Sequence, residues 1–120
     1  MDKYDLVITG AGLAGLSLAR ELKGSGLRII IIEKRCPEKM IAYHSSGTFM
    51  DPGQFSLPEG LFHRLDYIRF SSRNNHVVKP VKSAYVIERK ELYEHLRKEI
   101  SEDPCIEFLY SNELTGVELR

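Results

Sequence analysis

The sequence has no excess charge of either sign. Seventeen lysines and arginines balance seventeen aspartates and glutamates over 120 residues, so no global field gathers nucleic acid or an anionic membrane. Nucleic-acid binding is therefore disfavoured. Cysteine is scarce: Cys36 and Cys105 stand alone without motif spacing, which suits a reducing compartment and argues against a disulfide scaffold. His44, His63, His76 and His95 share no ligand spacing, so no metal site is expected. Long apolar runs are missing as well. None approaches the roughly eighteen residues a transmembrane helix needs. The opening Met1-Asp-Lys-Tyr-Asp5 carries acids and runs straight into a short strand, unlike a signal peptide. A cytoplasmic protein is the expectation. The length suits one domain, and 42% hydrophobic residues are enough for a modest core.

What is present is concentrated at the start of the chain. Leu6 to Ile8 is a short apolar run cut off by Gly10, whereas Leu13, Leu16, Ala19 and Leu22 recur at helical spacing. Ile29 to Ile32 is β-branched throughout and ends on Glu33, as a parallel strand covered on both faces would. Strand, tight turn, helix and strand make a βαβ unit. The turn, Gly10-Ala11-Gly12-Leu13-Ala14-Gly15, has three glycines with separate roles. Gly10 permits the sharp turn, Gly12 lacks the Cβ that would keep a pyrophosphate off the backbone, and Gly15 allows close packing of helix on strand. Phosphate oxygens would then face the free N–H groups of the helix N-terminus, where the macrodipole favours negative charge. Glu33 lies close to the expected distance, about twenty residues on, to accept hydrogen bonds from a ribose 2′-OH. A carboxylate there favours a bare ribose over a 2′-phosphate. These residues imply a dinucleotide site without choosing the dinucleotide.

The run from Asp5 to Ala19, continued through Gly26 and Glu33-Lys34-Arg35, resembles the N-terminal FAD fingerprint of the glutathione-reductase-like flavoproteins. Within that superfamily it is most similar to the branch of p-hydroxybenzoate hydroxylase, geranylgeranyl reductases and lycopene cyclases. The resemblance implies FAD as cofactor, with Arg35 by the adenine end. It also implies a small-molecule substrate, hydrophobic or prenyl-type, with NAD(P)H as a candidate reductant. Contact with a membrane periphery would follow if the substrate were an isoprenoid lipid.

The first helix should end near Lys23, where Gly24-Ser25-Gly26 supplies a cap and turn. After Glu33, Pro37, Gly47, Pro52, Gly53, Pro58 and Gly60 mark a long loop, and so long an irregular stretch is usually functional. In the resembling flavoproteins this loop passes the ribityl chain and flavin, which makes Ser45, Ser46 and Gly47 of Tyr43-His44-Ser45-Ser46-Gly47-Thr48 cofactor candidates. The plain alternative is a solvated Ser/Gly loop. Cys36 reads as a small buried hydrophobe rather than a reactive thiol. Residues 64–82 read as an antiparallel hairpin, with Tyr67-Ile-Arg-Phe-Ser and His76-Val-Val-Lys-Pro-Val flanking Ser72-Arg-Asn-Asn75, since asparagine tolerates the positive φ of tight turns. The resemblance makes it the opening hairpin of a second, substrate-facing sheet. Tyr67 and Phe70 either face a substrate or pack across the strands, the commoner role.

Tyr85 to Ile87 reads as a strand leading into a helix that ends at Asp103-Pro104, with Leu92, Leu96 and Ile100 as its apolar stripe and Glu94 facing Lys98. Cys105 to Tyr110 reads as a further strand, parallel to the first two, so that this second βα unit extends the sheet. Leu114 to Leu119 alternates as another strand would. The segment from Val86 to Leu96 resembles an element of the same flavoprotein branch whose arginine approaches the FAD, and Arg89 is the matching position. A cation at a helix N-terminus is unfavourable by macrodipole, so a nearby anion would explain it. The plain alternative is a solvated arginine.

The expected fold is α/β: a Rossmann-like, FAD-binding βαβ domain over residues 1–120, with a parallel sheet and the inserted hairpin, as the N-terminal part of a larger fold. Three functions stay open. The chain is the FAD-binding portion of a reductase or monooxygenase, and inactive alone; or it belongs to a lycopene-cyclase-like isomerase; or it is a nucleotide-binding fragment without activity. No residue makes a persuasive general acid or base, and the catalytic residues are not assigned.

Overall fold

The computed structural model describes residues 3–40 and 45–119. In chain order the elements are β1 (Leu6–Thr9), α1 (Leu13–Glu21), β2 (Ile29–Ile32), β3 (Ser45–Thr48), β4 (Phe62–Arg64), β5 (Tyr67–Ser71), β6 (His76–Pro80), β7 (Tyr85–Glu88), α2 (Arg89–Ser101) and β8 (Ile106–Leu109), with short 3-10 turns at Pro37–Lys39, Pro52–Phe55 and Glu59–Leu61. They fall into two compact units: Met1–Ala42 with Tyr93–Arg120, and Tyr43–Leu92.

The first unit is built on a parallel sheet in the order β1-β2-β8. Its register sets Leu6 against Ile29 and Ile29 against Ile106, and Ile8 against Ile31 and Ile31 against Phe108. Because side chains alternate along a strand, Ile8, Ile29, Ile31 and Ile106 share one face, and all four are buried. The core is completed by Leu16 and Ala19 of α1 and by Tyr93, Leu96 and Ile100 of α2. Ile29, Ile31, Leu16 and Ile100 are its largest fully buried side chains, each worth about 1.5–3 kcal/mol of burial.

Polar contacts join the C-terminal ends of the two helices. Arg20 Nε lies 3.1 Å from Glu99 Oε2, which also pairs with His95 Nε2 at 3.2 Å, and Lys23 Nζ lies 2.8 Å from Glu102 Oε2. Asp103 accepts from the N–H groups of both Gly24, at 2.8 Å, and Cys105, at 2.9 Å. It thus fixes the turn after α1 and the entry to β8 with one carboxylate.

The second unit has an antiparallel sheet in the order β3-β7-β4, and β5 and β6 pair as a separate two-stranded hairpin. The hairpin has the expected strands but a different turn. Among the described residues the non-glycine positions with positive φ are Ser56 and Ser111, so neither Asn74 nor Asn75 supplies one. Instead the Ser72 N–H donates to the Asn75 carbonyl at 2.7 Å, as does the Ser72 hydroxyl at 3.3 Å. A four-residue loop escapes the twist constraint that forces positive φ on two-residue turns. Tyr67 and Phe70 oppose Pro80 and Val77 across the strands but remain about 60% exposed, at 61% and 60%.

Other expectations are corrected as well. Ser45 to Thr48 is not loop but strand β3, in register with Glu88 to Tyr85 of β7; the pairing partner, not the propensity of serine and glycine, makes it one. Leu114 to Leu119 is not a strand, and no described strand pairs with it; alternation without a partner leaves Val117 and Leu119 at 76% and 97% exposure. The second βα unit contributes only β8 to the parallel sheet, because β7 belongs to the antiparallel one. Cys36 is also half-buried rather than buried.

The two backbone N–H groups that Asp103 accepts, first Gly24 and then Cys105, hold its carboxyl below the usual aspartate range. A depressed acid stabilises the fold above the unfolded-state value, and that contribution is lost as pH falls through the lower folded value. Asp103→Ala should therefore lower the melting temperature at neutral pH, and the gap to the parent chain should close as pH is taken below about 4. Thermal melts across pH check this; a gap independent of pH would contradict it.

Candidate functional site

The site forms where β1 runs into α1. Gly10, whose N–H donates to the Ile32 carbonyl at 2.7 Å, turns the chain with φ of +95°, a conformation open to glycine and costly to most other residues. Ala11 follows, fully buried at 0% exposure. Gly12 is the N-cap of α1, extended at φ −75° and ψ −177°, and no side chain caps the helix. The first intrahelical bond runs from Leu16 N–H to Gly12 C=O at 2.9 Å, so Leu13, Ala14 and Gly15 lie in the turn whose N–H groups lack intrahelical acceptors. That turn contains no acidic residue. Its uncapped dipole end suits an anion.

The glycines differ in what surrounds them. A Cβ on Gly15 would lie 2.1 Å from the Gly10 carbonyl oxygen and 3.3 Å from Ile8 Cγ2, so this glycine sets the approach of α1 to β1. A Cβ on Gly12 would meet no protein atom within 4 Å. Folding makes no steric demand for glycine there. Open space at an uncapped helix N-terminus is the cradle a diphosphate requires, and FAD fits the residues present on this ground.

Glu33 sits at the carboxyl end of β2 and is buried at 5% exposure. Its Oε2 accepts from the Ala11 N–H at 3.0 Å, and its Oε1 accepts from the Arg35 N–H at 3.2 Å, with Arg35 Nε at 3.7 Å. A carboxylate offers about four lone-pair positions, so these two bonds leave capacity for sugar hydroxyls. The backbone of Glu33 is held too: its N–H donates to Leu109 C=O at 2.9 Å and its C=O accepts from Asn112 N–H at 3.1 Å.

The structure thus brings Gly10, Ala11, Gly12, Leu13, Ala14, Gly15, Glu33 and Arg35 into one constellation in the first unit, with Lys34 exposed beside them. Ser45, Ser46, Gly47 and Arg89 belong to the second unit. There Ser45 opposes Glu88, the residue before Arg89, at one end of the β3–β7 pair, and Arg89 is the first residue of α2. Tyr43 and His44 lie outside the described residues. Sequence reasoning missed Asn112 and Ser111, whose N–H groups bond to the carbonyls of Glu33 and Arg35. Their contribution is through backbone, which no side-chain pattern announces.

A parallel βαβ unit, a glycine turn leading into an uncapped helix and a buried acid on the neighbouring strand define a nucleotide-binding fold. The chain belongs to the FAD binding domain family, whose pattern it matches over residues 5–108. Among curated proteins, thioredoxin reductase of Ureaplasma parvum is 56% identical over 43 residues, 36% of this chain and 14% of that protein. The L-amino-acid oxidase of Naja atra is 39% identical over 70 residues, 53% of this chain and 13% of that protein. Among solved structures, PqsL of Pseudomonas aeruginosa, described as a probable FAD-dependent monooxygenase, superposes with a TM-score of 0.76 at 14% identity, covering 98% of this chain and 35% of PqsL. A geranylgeranyl bacteriochlorophyll reductase-like protein of Thermoplasma acidophilum gives 0.65 at 18% identity over 90% of this chain and 30% of its own. The chain therefore spans about a third of these neighbours' length.

The two glycines should separate in the laboratory. Gly15→Ala forces the Gly10 backbone to move and should cost about 1–3 kcal/mol. Gly12→Ala meets empty space in an allowed conformation and should stay within about 1 kcal/mol of the parent chain. Chemical denaturation measures both, and equal losses would show that the helix does not approach β1 as described.

Proposed function

We propose that this chain is the FAD-binding portion of a flavin-dependent oxidoreductase, a reductase or monooxygenase of a small, hydrophobic substrate, in the glutathione-reductase-like superfamily. In this reading the N–H groups around Gly12 to Gly15 hold the diphosphate, and Glu33 accepts from the adenosine ribose. Lys34 and Arg35 lie by the adenine end, Ser45 to Gly47 belong to the flavin side, and Arg89 offsets phosphate charge. FAD, when bound, supplies the hydride or oxygen chemistry, and NAD(P)H is the proposed reductant. The chain's own part is to bind the cofactor and orient it.

The observation that carries this reading is the pairing of an open Cβ position at Gly12 with the buried, half-satisfied carboxylate of Glu33. One accommodates a diphosphate and the other a sugar. The match to the FAD binding domain family supports the choice of FAD. Support for a monooxygenase or reductase comes from neighbours such as PqsL and the p-nitrophenol 4-monooxygenase of Pseudomonas putida. A geranylgeranyl reductase-like neighbour favours a hydrophobic substrate.

The test is retention of flavin absorbance after FAD is added and the protein is desalted. The parent chain should keep the flavin bands. Gly12→Val should lose them with unchanged circular dichroism, and Glu33→Ala should weaken binding by about 10- to 100-fold, the loss of one to two charge-assisted hydrogen bonds. Undiminished flavin in both variants, or affinity for NAD without any for FAD, would overturn the proposal.

A further inference from the structure

We propose that the hydroxyl pair of Tyr93 and Tyr110 is a positioning element for the nucleotide base, setting the preference for adenine from beneath the end of β8. This rests on the dinucleotide reading above. In β1-β2-β8, the diphosphate cradle lies at the end of β1 and Glu33 at the end of β2. A nucleotide held by phosphate and ribose at these two points carries its base onward, in the same direction, to the third strand end. That end is Tyr110-Ser111-Asn112.

This segment is held from two sides. Above, its backbone continues the sheet: Ser111 N–H donates to Arg35 C=O and Asn112 N–H to Glu33 C=O, both at 3.1 Å. Ser111 adopts φ of +57°, a left-handed conformation that a non-glycine residue keeps only when its surroundings enforce it. Below, the Tyr110 ring lies stacked with that of Phe108, centroids 5.7 Å apart and planes 4° apart. The Tyr110 hydroxyl meets the Tyr93 hydroxyl at 3.1 Å. Tyr93 is 5% exposed and belongs to the buried stripe of α2. A hydroxyl-to-hydroxyl bond between helix core and strand end therefore fixes where the chain turns into Ser111, one residue before the amide that binds Glu33.

No core requirement explains the two hydroxyls, since phenylalanine would fill the same space. Burial, the Tyr110 partner and the nearby Glu33 carboxylate push the Tyr93 phenol well above its ordinary range, so the Tyr93 hydroxyl keeps its proton and its bond at physiological pH. Tyr93 and Tyr110 act through the backbone of the base-facing segment. They are positioning residues.

The experiment is isothermal titration of the 120-residue chain and its Tyr93→Phe, Tyr110→Phe and double variants with FAD, ADP and GDP. The parent should bind FAD and prefer ADP to GDP. Each single variant should lose about three- to tenfold in ADP affinity, the worth of one hydrogen bond, and should narrow the ADP-to-GDP ratio. The double variant should be no worse than the singles, because either change breaks the same bond. Equal weakening of ADP and GDP, which general loss of stability would produce, overturns the proposal, as does an unchanged ADP-to-GDP ratio in both single variants. Failure of the parent to bind any of the three ligands would instead sink the dinucleotide reading beneath it.

Discussion

The Glu33 carboxylate bonded to the Ala11 N–H is the interaction on which the rest depends. Burying a carboxylate is expensive unless hydrogen bonds offset the lost water, and here two backbone N–H groups, Ala11 and Arg35, do so. The same bonds tie the glycine turn after β1 to the end of β2. With the turn fixed, Gly12 opens α1 without a side-chain cap, and the first-turn amides are left without intrahelical acceptors. For the proposed cofactor, preorganisation of this kind would spare the binding step the cost of ordering the loop. In the proposed reading, stability and recognition thus share one side chain.

The remainder of the first unit serves this arrangement. Asn112 and Leu109 hold the Glu33 backbone from β8, and Gly15 allows α1 to lie against β1 closely enough to bring its N-terminus to the strand end. Arg20 and Lys23 pair with Glu99 and Glu102, so the helices are also linked at the end away from the site. These outer pairs are partly exposed and individually weak. The isoleucines of β2 and the buried stripes of α1 and α2 supply the energy that keeps the strand ends aligned.

Much of this was legible in the residues. Ile29 to Ile32 announces a buried parallel strand, Leu13, Leu16 and Ala19 announce a helix face, and the spacing of Gly10, Gly12, Gly15 and Glu33 announces the turn and the acid that the fold brings together. Local pattern sufficed because each signal lies within one element. It failed where long-range pairing decided the outcome. Ser45-Ser46-Gly47-Thr48 has only Thr48 as a strand former and is a strand because β7 lies beside it. Leu114 to Leu119 has the alternation and lacks the partner. The contact between Tyr93 and Tyr110 joins residues on separate elements, and no spacing rule connects them. Membership of the FAD binding domain family fits the glycine turn.

In the proposed reading the amides of Gly12 to Gly15 grip the nucleotide's diphosphate beside Glu33. Amide chemical-shift mapping by nuclear magnetic resonance, with FAD titrated into the isotope-labelled chain, tests it most directly. The largest shifts are expected at the amides of Gly12 through Gly15, with a response at Ala11, Glu33 and Arg35. Shifts confined to other segments, with those amides unmoved at saturating FAD, would contradict it.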